Sequence, residues 1–167
     1  RRDEISIAGD GQITFGDVII KQTAKKVRRL YHDEVLAGFA GSVADALTLF
    51  DHFENQLEKH SGQLKKAAVE LAKEWRMDRS LHRLEAQLIV ANKEEMLLIS
   101  GDGDVVEPDE DVVAIGSGAG YAHAAATALL KYSNLSAEEI VSKSMQIAAS
   151  ICIYTNDKIS VESIKKE

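Results

Sequence analysis

Short strands, two amphipathic helices, more strands, two further helices and a closing strand: in that order the periodic segments predict an α+β fold built in layers. Two observations support it. The apolar period switches between two residues and about 3.6 along the chain, and a single proline with eleven glycines among 167 residues argues against long linkers. One domain over residues 1–167 is expected, with a sizeable core.

Residues 5–8 and 18–21 read as short strands joined through the turn Ala8-Gly9-Asp10-Gly11-Gln12. Segments 26–31 and 34–40 form a hairpin around His32-Asp33, so the first forty residues are expected to make one antiparallel sheet. Ser42 suits a helix N-cap, with Asp45 three residues on as a weak capping box. Val43, Leu47, Phe50, Phe53 and Leu57 then recur at helical spacing and set an apolar stripe against that sheet, until Gly62 punctuates the end. In the second helix Leu64, Ala68, Leu71 and Trp75 share one face, away from Lys65, Lys66, Glu70 and Lys73. Residues 88–91 and 96–100 read as the next hairpin, Gly101-Asp102-Gly103 turns into a strand at 104–106, and 112–115 reads as another strand. An alanine-dense helix follows over 121–130, its small side chains permitting close packing. Ser136 and Glu139 form an S-x-x-E capping box for the last helix, whose expected buried side is Ile140, Ser144, Ile147 and Ile151, and a strand at 159–164 ends the pattern.

Composition narrows the function. Hydrophobic residues at 45% and charged residues at 28% are the balance of a soluble globular protein. A formal charge of −7 gives no electrostatic reason to expect nucleic acid, and the one dense basic run, Lys25-Lys26-Val27-Arg28-Arg29, lies by spacing on a strand. Cys152 is alone and cannot form an internal disulfide, which suits a reducing, cytoplasmic setting. The apolar runs fall short of the ~18 residues of a membrane span, and no cleavable secretory signal is visible.

Three glycine-rich turns stand out: Ala8-Gly9-Asp10-Gly11-Gln12, Gly38-Phe39-Ala40-Gly41-Ser42 and Ile115-Gly116-Ser117-Gly118, with Lys26 between the first two. With the blocks AGDGQITFG, KKVRRLY, VLAGFAGSVADALTLF, KAAVELAKEWRMDR, LEAQLIV, GDGDVVEP, AIGSG and ICIYTN, in this order over nearly the whole chain, the sequence resembles the HslV (ClpQ) family of proteasome-β-like peptidases. The resemblance implies a four-layer αββα sandwich of the N-terminal-nucleophile hydrolase type. It also implies a threonine-type peptidase subunit of an ATP-dependent protease, working on unfolded protein substrates. Its assembly would be two stacked six-membered rings, with HslU, a separate hexameric AAA+ ATPase, as partner and no nucleotide on this subunit. The family opens with a Thr-Thr pair on a short strand, and Arg1-Arg2-Asp3-Glu4 aligns with the middle of that strand. About seven residues would then precede Arg1, some 23 Å of extended chain. The chain as written is expected to lack its nucleophile and to be inactive.

By the same resemblance, Lys26 matches the lysine whose ammonium favours a neutral terminal amine, and Asp10 matches the carboxylate that positions it. Gly38 matches the main-chain N–H donor of the oxyanion hole, and Ser117 the hydroxyl that hydrogen-bonds near the terminal amine. A sodium or other cation is implied on the backbone carbonyls of Ala149, Cys152 and Thr155, where the family carries glycine in place of Ala149; alanine keeps the carbonyl but disfavours φ > 0.

Other readings are weaker. Asp10, Gly38 and Ser117 taken singly are turn residues. Gly116-Ser117-Gly118-Ala119-Gly120-Tyr121 imitates a dinucleotide-binding turn, but Tyr121 stands where that motif needs glycine and no parallel βαβ unit surrounds it. Asp102, Asp104, Asp109 and Asp111 lack calcium-loop spacing, and histidines 32, 52, 60, 82 and 123 lack zinc spacing. A silent shell or assembly subunit of the same ring architecture is the alternative function.

Overall fold

The computed structural model describes residues 3–81 and 83–166. Arg1 and Arg2, which set the alignment with the preceding strand, and His82, one of the histidines weighed for zinc, lie outside the described residues.

Five strands form the main antiparallel sheet in the order β4 (Val27–Leu30), β5 (Val35–Gly41), β6 (Ala86–Ala91), β7 (Met96–Ser100) and β8 (Val105–Val106). The β4–β5 hairpin turns through Tyr31, His32 and Asp33, all three in the left-handed region with φ of 48°, 54° and 63°. A second sheet pairs β1 (Glu4–Gly9) with β9 (Ser160–Lys165), joining the two ends of the described chain. Between them in sequence, β2 (Ile13–Phe15) and β3 (Val18–Lys21) make a separate small hairpin.

Helices α1 (Val43–Lys59) and α2 (Leu64–Met77) cover the outer face of the main sheet, and α4 (Ala137–Ile151) packs on β1 and β9 with α3 (Ala119–Tyr132) beside it. Strands β1 and β9 face β4 and β5, so the layers run helices, sheet, sheet, helices: the four-layer αββα sandwich. Its main core fills the space between α1, α2 and the five-stranded sheet, with Leu49, Phe50, Phe53, Leu71, Trp75, Leu88 and Leu97 fully buried. A smaller cluster of Ile7, Val27, Leu36 and Ile164 seals the two sheets together.

Several expectations are corrected. The first forty residues belong to three sheets, because β1 is captured by the distant β9 and Ile13–Phe15 supplies a strand of its own. Segment 112–115 is not a strand; its four half-buried residues pair with no strand among those described. On α1 it is Leu49 that faces the core, while Leu47 is exposed. On α4 Ala137, Ile140, Ser144 and Ala148 are buried, and Ile147 and Ile151 face outward, because the small residues of α3 and α4 bring those helices close. The basic run 25–29 is only partly on a strand, and three of its four cations make contacts within the chain. Lys26 pairs with Asp10, Arg29 with Glu162, and the Arg28 guanidinium sits 5.9 Å from the centre of the Phe50 ring.

Both predicted N-caps are present, but the weak box expected of Asp45 is not closed, because Ser42 N donates to Glu85 O instead. Ser42 Oγ accepts from Asp45 N (3.4 Å), while the Asp45 carboxylate accepts from Glu85 N across the α1–β6 boundary. Ser136 and Glu139 make the full reciprocal box.

Candidate active site

Asp10 directly follows β1 and turns its carboxylate inward, where it is 7% exposed. A buried carboxylate must be paired and hydrogen-bonded, and this one is. Oδ1 accepts from Lys26 Nζ at 2.7 Å, and Oδ2 accepts from the backbone amides of Gln12 and Asn156, both at 3.2 Å. The lysine sits immediately before β4, whose Val27 packs between the sheets, so its backbone is fixed by the sandwich. Close packing of the turn onto it follows from Gly9, where an added Cβ would lie 3.2 Å from Lys26 Cβ.

The three glycine turns converge on one cavity of about 730 Å³, whose lining includes Asp10, Lys26, Gly38, Gly41, Ser117 and Thr155. All four residues assigned to the catalytic frame therefore open onto the same space. The turn at 116–118 is wedged between two neighbours: a Cβ at Gly116 would stand 3.2 Å from Ala40 Cβ, and one at Gly118 would stand 2.8 Å from Thr155 Oγ1.

Gly38 requires a revision. It pairs with Val27 on one side and Ile89 on the other, in the middle of β5. Phe39 N donates to Lys26 O (3.1 Å). Antiparallel alternation then turns the Gly38 amide toward β6 and the amides of Phe39 and Gly41 toward β4. What glycine supplies at 38 is space, since a Cβ there would stand 2.8 Å from Ile7 Cδ1. Gly41 lies beyond the first residue of β4, so its amide faces past the end of that strand, and the residue lines the cavity. Its φ of +111°, with a would-be Cβ 2.5 Å from Glu85 O, demands glycine. Sequence reasoning passed over it, although a glycine just before a helix N-cap was a usable signal.

The last part of the site is the loop after α4. Cys152 caps the helix, is buried and carries a free thiol. Its carbonyl accepts from Thr155 N (3.1 Å). Ala149 lies within α4 and is absent from the residues with positive φ, so alanine is accommodated there without strain. Two residues unmarked in the sequence tie this loop to the Asp10 turn. Gln12 Nε2 donates to Ile153 O (3.0 Å), and Asn156 bonds to Gly11 and Gln22. Among the described residues, no three His, Cys, Asp or Glu side chains gather as a metal-binding group.

The Lys26 ammonium, anchored by the buried Asp10 carboxylate, lines the same cavity as Gly41. An ammonium close to an amine disfavours its protonated form, and a free main-chain amide stabilises an anionic oxygen.

The profile for proteasome subunits matches residues 1–164. The chain is 59% identical over 165 residues to a protein described as ATP-dependent protease subunit HslV from Caldanaerobacter subterraneus subsp. tengcongensis, covering 98% of this chain and 94% of that one. It is also similar to the crystal structure of eukaryotic HslV from Trypanosoma brucei, with a TM-score of 0.93 at 47% identity, covering 98% of this chain and 95% of the other.

Proposed function

This chain belongs to the proteasome-subunit family and is a peptidase subunit of the HslV type; we propose that it cleaves unfolded protein substrates with the hydroxyl of an N-terminal threonine. The observation that carries this reading is the 2.7 Å Lys26–Asp10 pair, opening onto the cavity that Gly41 and Ser117 also line.

The cavity suits the threonine-bearing strand. One of its borders is β1, whose partner among the described residues is β9, and another is segment 112–115, which pairs with no described strand. Main-chain groups on both borders can receive an extended polypeptide. In the reaction, threonine Oγ bonds to the scissile carbonyl carbon while its proton passes to its own α-amine, directly or through water. A free α-amine titrates at about 7.7–8.0, and the adjacent Lys26 ammonium disfavours its protonated form, keeping more of it as base. The oxyanion receives a main-chain N–H, for which Gly41 is better turned than Gly38, and Ser117 hydrogen-bonds near the amine. As the C–N bond breaks, the α-ammonium returns the proton to the leaving amine. Water then hydrolyses the ester left on Oγ and restores the threonine.

The assembly follows the same reading: two stacked hexameric rings, fed by an HslU-type AAA+ ATPase, in the cytoplasm. No helix among the described residues is long and apolar enough to cross a membrane. A sodium or other cation belongs on the main-chain oxygens of Ala149, Cys152 and Thr155. The residues fit it, because α4 ends with no basic side chain in its last turn and leaves helix-terminal carbonyls for a positive charge. When bound, the ion neutralises that helix end and steadies the loop after it.

The test begins with the full reading frame, expressed and characterised by intact mass and N-terminal sequencing. Threonine should be the first residue, and Lys26→Ala should lower hydrolysis of a fluorogenic peptide by at least about 10²-fold with assembly intact. Peptidase activity from a chain beginning with another residue, or wild-type turnover in Lys26→Ala, would overturn the reading.

A further inference from the structure

We infer that Asn156 is a positioning residue for Lys26, acting through the Asp10 turn; the inference rests on the threonine-peptidase reading. Its side chain is a three-way staple. Oδ1 accepts from Gly11 N at 3.0 Å and from Lys158 N at 3.2 Å, and Nδ2 donates to Gln22 O at 2.8 Å. Gly11 directly follows Asp10, and Gln22 begins the segment that leads to Lys26. One amide group thus fixes both chain segments that carry the ion pair.

The backbone of the same residue completes the arrangement. Asn156 N donates to Asp10 Oδ2, which leaves Oδ1 as the acceptor for Lys26. Two geometric features give this staple little slack. A Cβ at Gly11 would stand 2.2 Å from Gln22 O, so the turn and the 22–23 backbone are already at closest approach, and Ala24 N donates to Gly11 O at 3.0 Å. Aspartate cannot reproduce the Nδ2 donor, and serine is too short to span from loop to turn. When the side chain is removed, the loop drifts from the turn, Oδ2 keeps only the Gln12 amide of its two donors, and the less firmly held carboxylate rotates away from Lys26. The ammonium then moves relative to the terminal amine, whose apparent pKa rises toward its ordinary value.

The test is the pH profile of kcat/KM for the full chain bearing its N-terminal threonine. Asn156→Ala should shift the acid limb to higher pH, lowering the rate about fivefold to tenfold near pH 7 but less than about twofold at pH 9.5, with KM nearly unchanged. A loss of equal size at every pH, or an unmoved limb, means that the residue is merely structural and overturns the inference. If the alanine variant does not fold, Asn156→Ser is measured in its place. It is neutral, keeps a local turn to Lys158 and loses the bridge, so the same shift is expected. If the unsubstituted protein has no peptidase activity, the threonine reading fails, and the crystal structure of the variant still decides the positioning claim. Separation of Lys26 Nζ from Asp10 beyond hydrogen-bonding distance supports it, and a retained ion pair overturns it.

Discussion

Glu139 shows how a single carboxylate couples the fold to pH. Its side chain accepts from Ser136 N at 2.9 Å while Ser136 Oγ accepts from Glu139 N at 3.1 Å. Hydrogen bonding to the carboxylate from Ser136, its backbone amide first and then its hydroxyl, holds the Glu139 pKa below the ordinary glutamate value. A lowered folded-state pKa contributes stability that is present above the unfolded value, about 4.3, and is lost as pH falls through the folded one. The cap on α4 should therefore weaken only on the acid side. Glu139→Gln is expected to flatten the part of the thermal-stability profile between about pH 5 and pH 3 that this group causes, as measured by circular dichroism melts; an unchanged slope would remove Glu139 from the account. The capping box was legible because its two residue types and their spacing are the mechanism itself. Asn156 was not, since an asparagine in a loop carries no mark of the turn 145 residues away that it bonds.

At the scale of elements, the turn after α1 joins two parts of the fold. Gly62 has φ +76°, and its N donates to Leu57 O at 2.8 Å to close the helix. A Cβ there would stand 2.5 Å from Tyr31 Cε1, at the tip of the β4–β5 hairpin. Gly62→Ala should consequently cost about 1–3 kcal/mol, from left-handed strain and displacement of the Tyr31 ring. Urea unfolding reads this directly, and a change below about 0.5 kcal/mol would show that the hairpin tip yields freely. Elements of this kind were readable from local chemistry: long apolar periods for α1 and α2, and glycine or Asx turns between β6, β7 and β8. The misreadings share a different cause. Segment 112–115 is apolar but pairs with no described strand, and Ile13–Phe15 is too short to show a period. The exposed Leu47, Ile147 and Ile151 fit a helical period but lie on faces that the neighbouring layers within the chain do not cover. Sequence periodicity finds apolar surface without saying which neighbour covers it.

That distinction decides how the whole molecule is expected to assemble. The β2–β3 hairpin is separate from the other two sheets, and Phe15, Val18, Ile19 and Ile20 are 81%, 60%, 49% and 64% exposed. Successive residues of β3 point to opposite faces, so the hairpin offers apolar surface on both sides. An isolated two-stranded hairpin is marginal in water, and clustered exposed apolar residues mark an interaction surface. On the proposed ring assembly, the fitting occupant is a neighbouring copy of the same chain, in a heterologous contact that rotation closes. Each copy carries a formal charge of −7, so association has to overcome like-charge repulsion through apolar burial. Added salt screens that repulsion and leaves the apolar term in place, so raising ionic strength from about 0.05 to 0.5 M should preserve or strengthen the assembly. The paired substitution Phe15→Ser with Ile20→Ser should shift it toward single chains near 18 kDa while the circular dichroism spectrum stays that of the folded protein. Native mass spectrometry across subunit concentration separates the outcomes. Full assembly of the double variant at low micromolar concentration would place the ring contact elsewhere, and dissociation of the unsubstituted protein by salt would show that charge pairs, not this hairpin, hold the copies together.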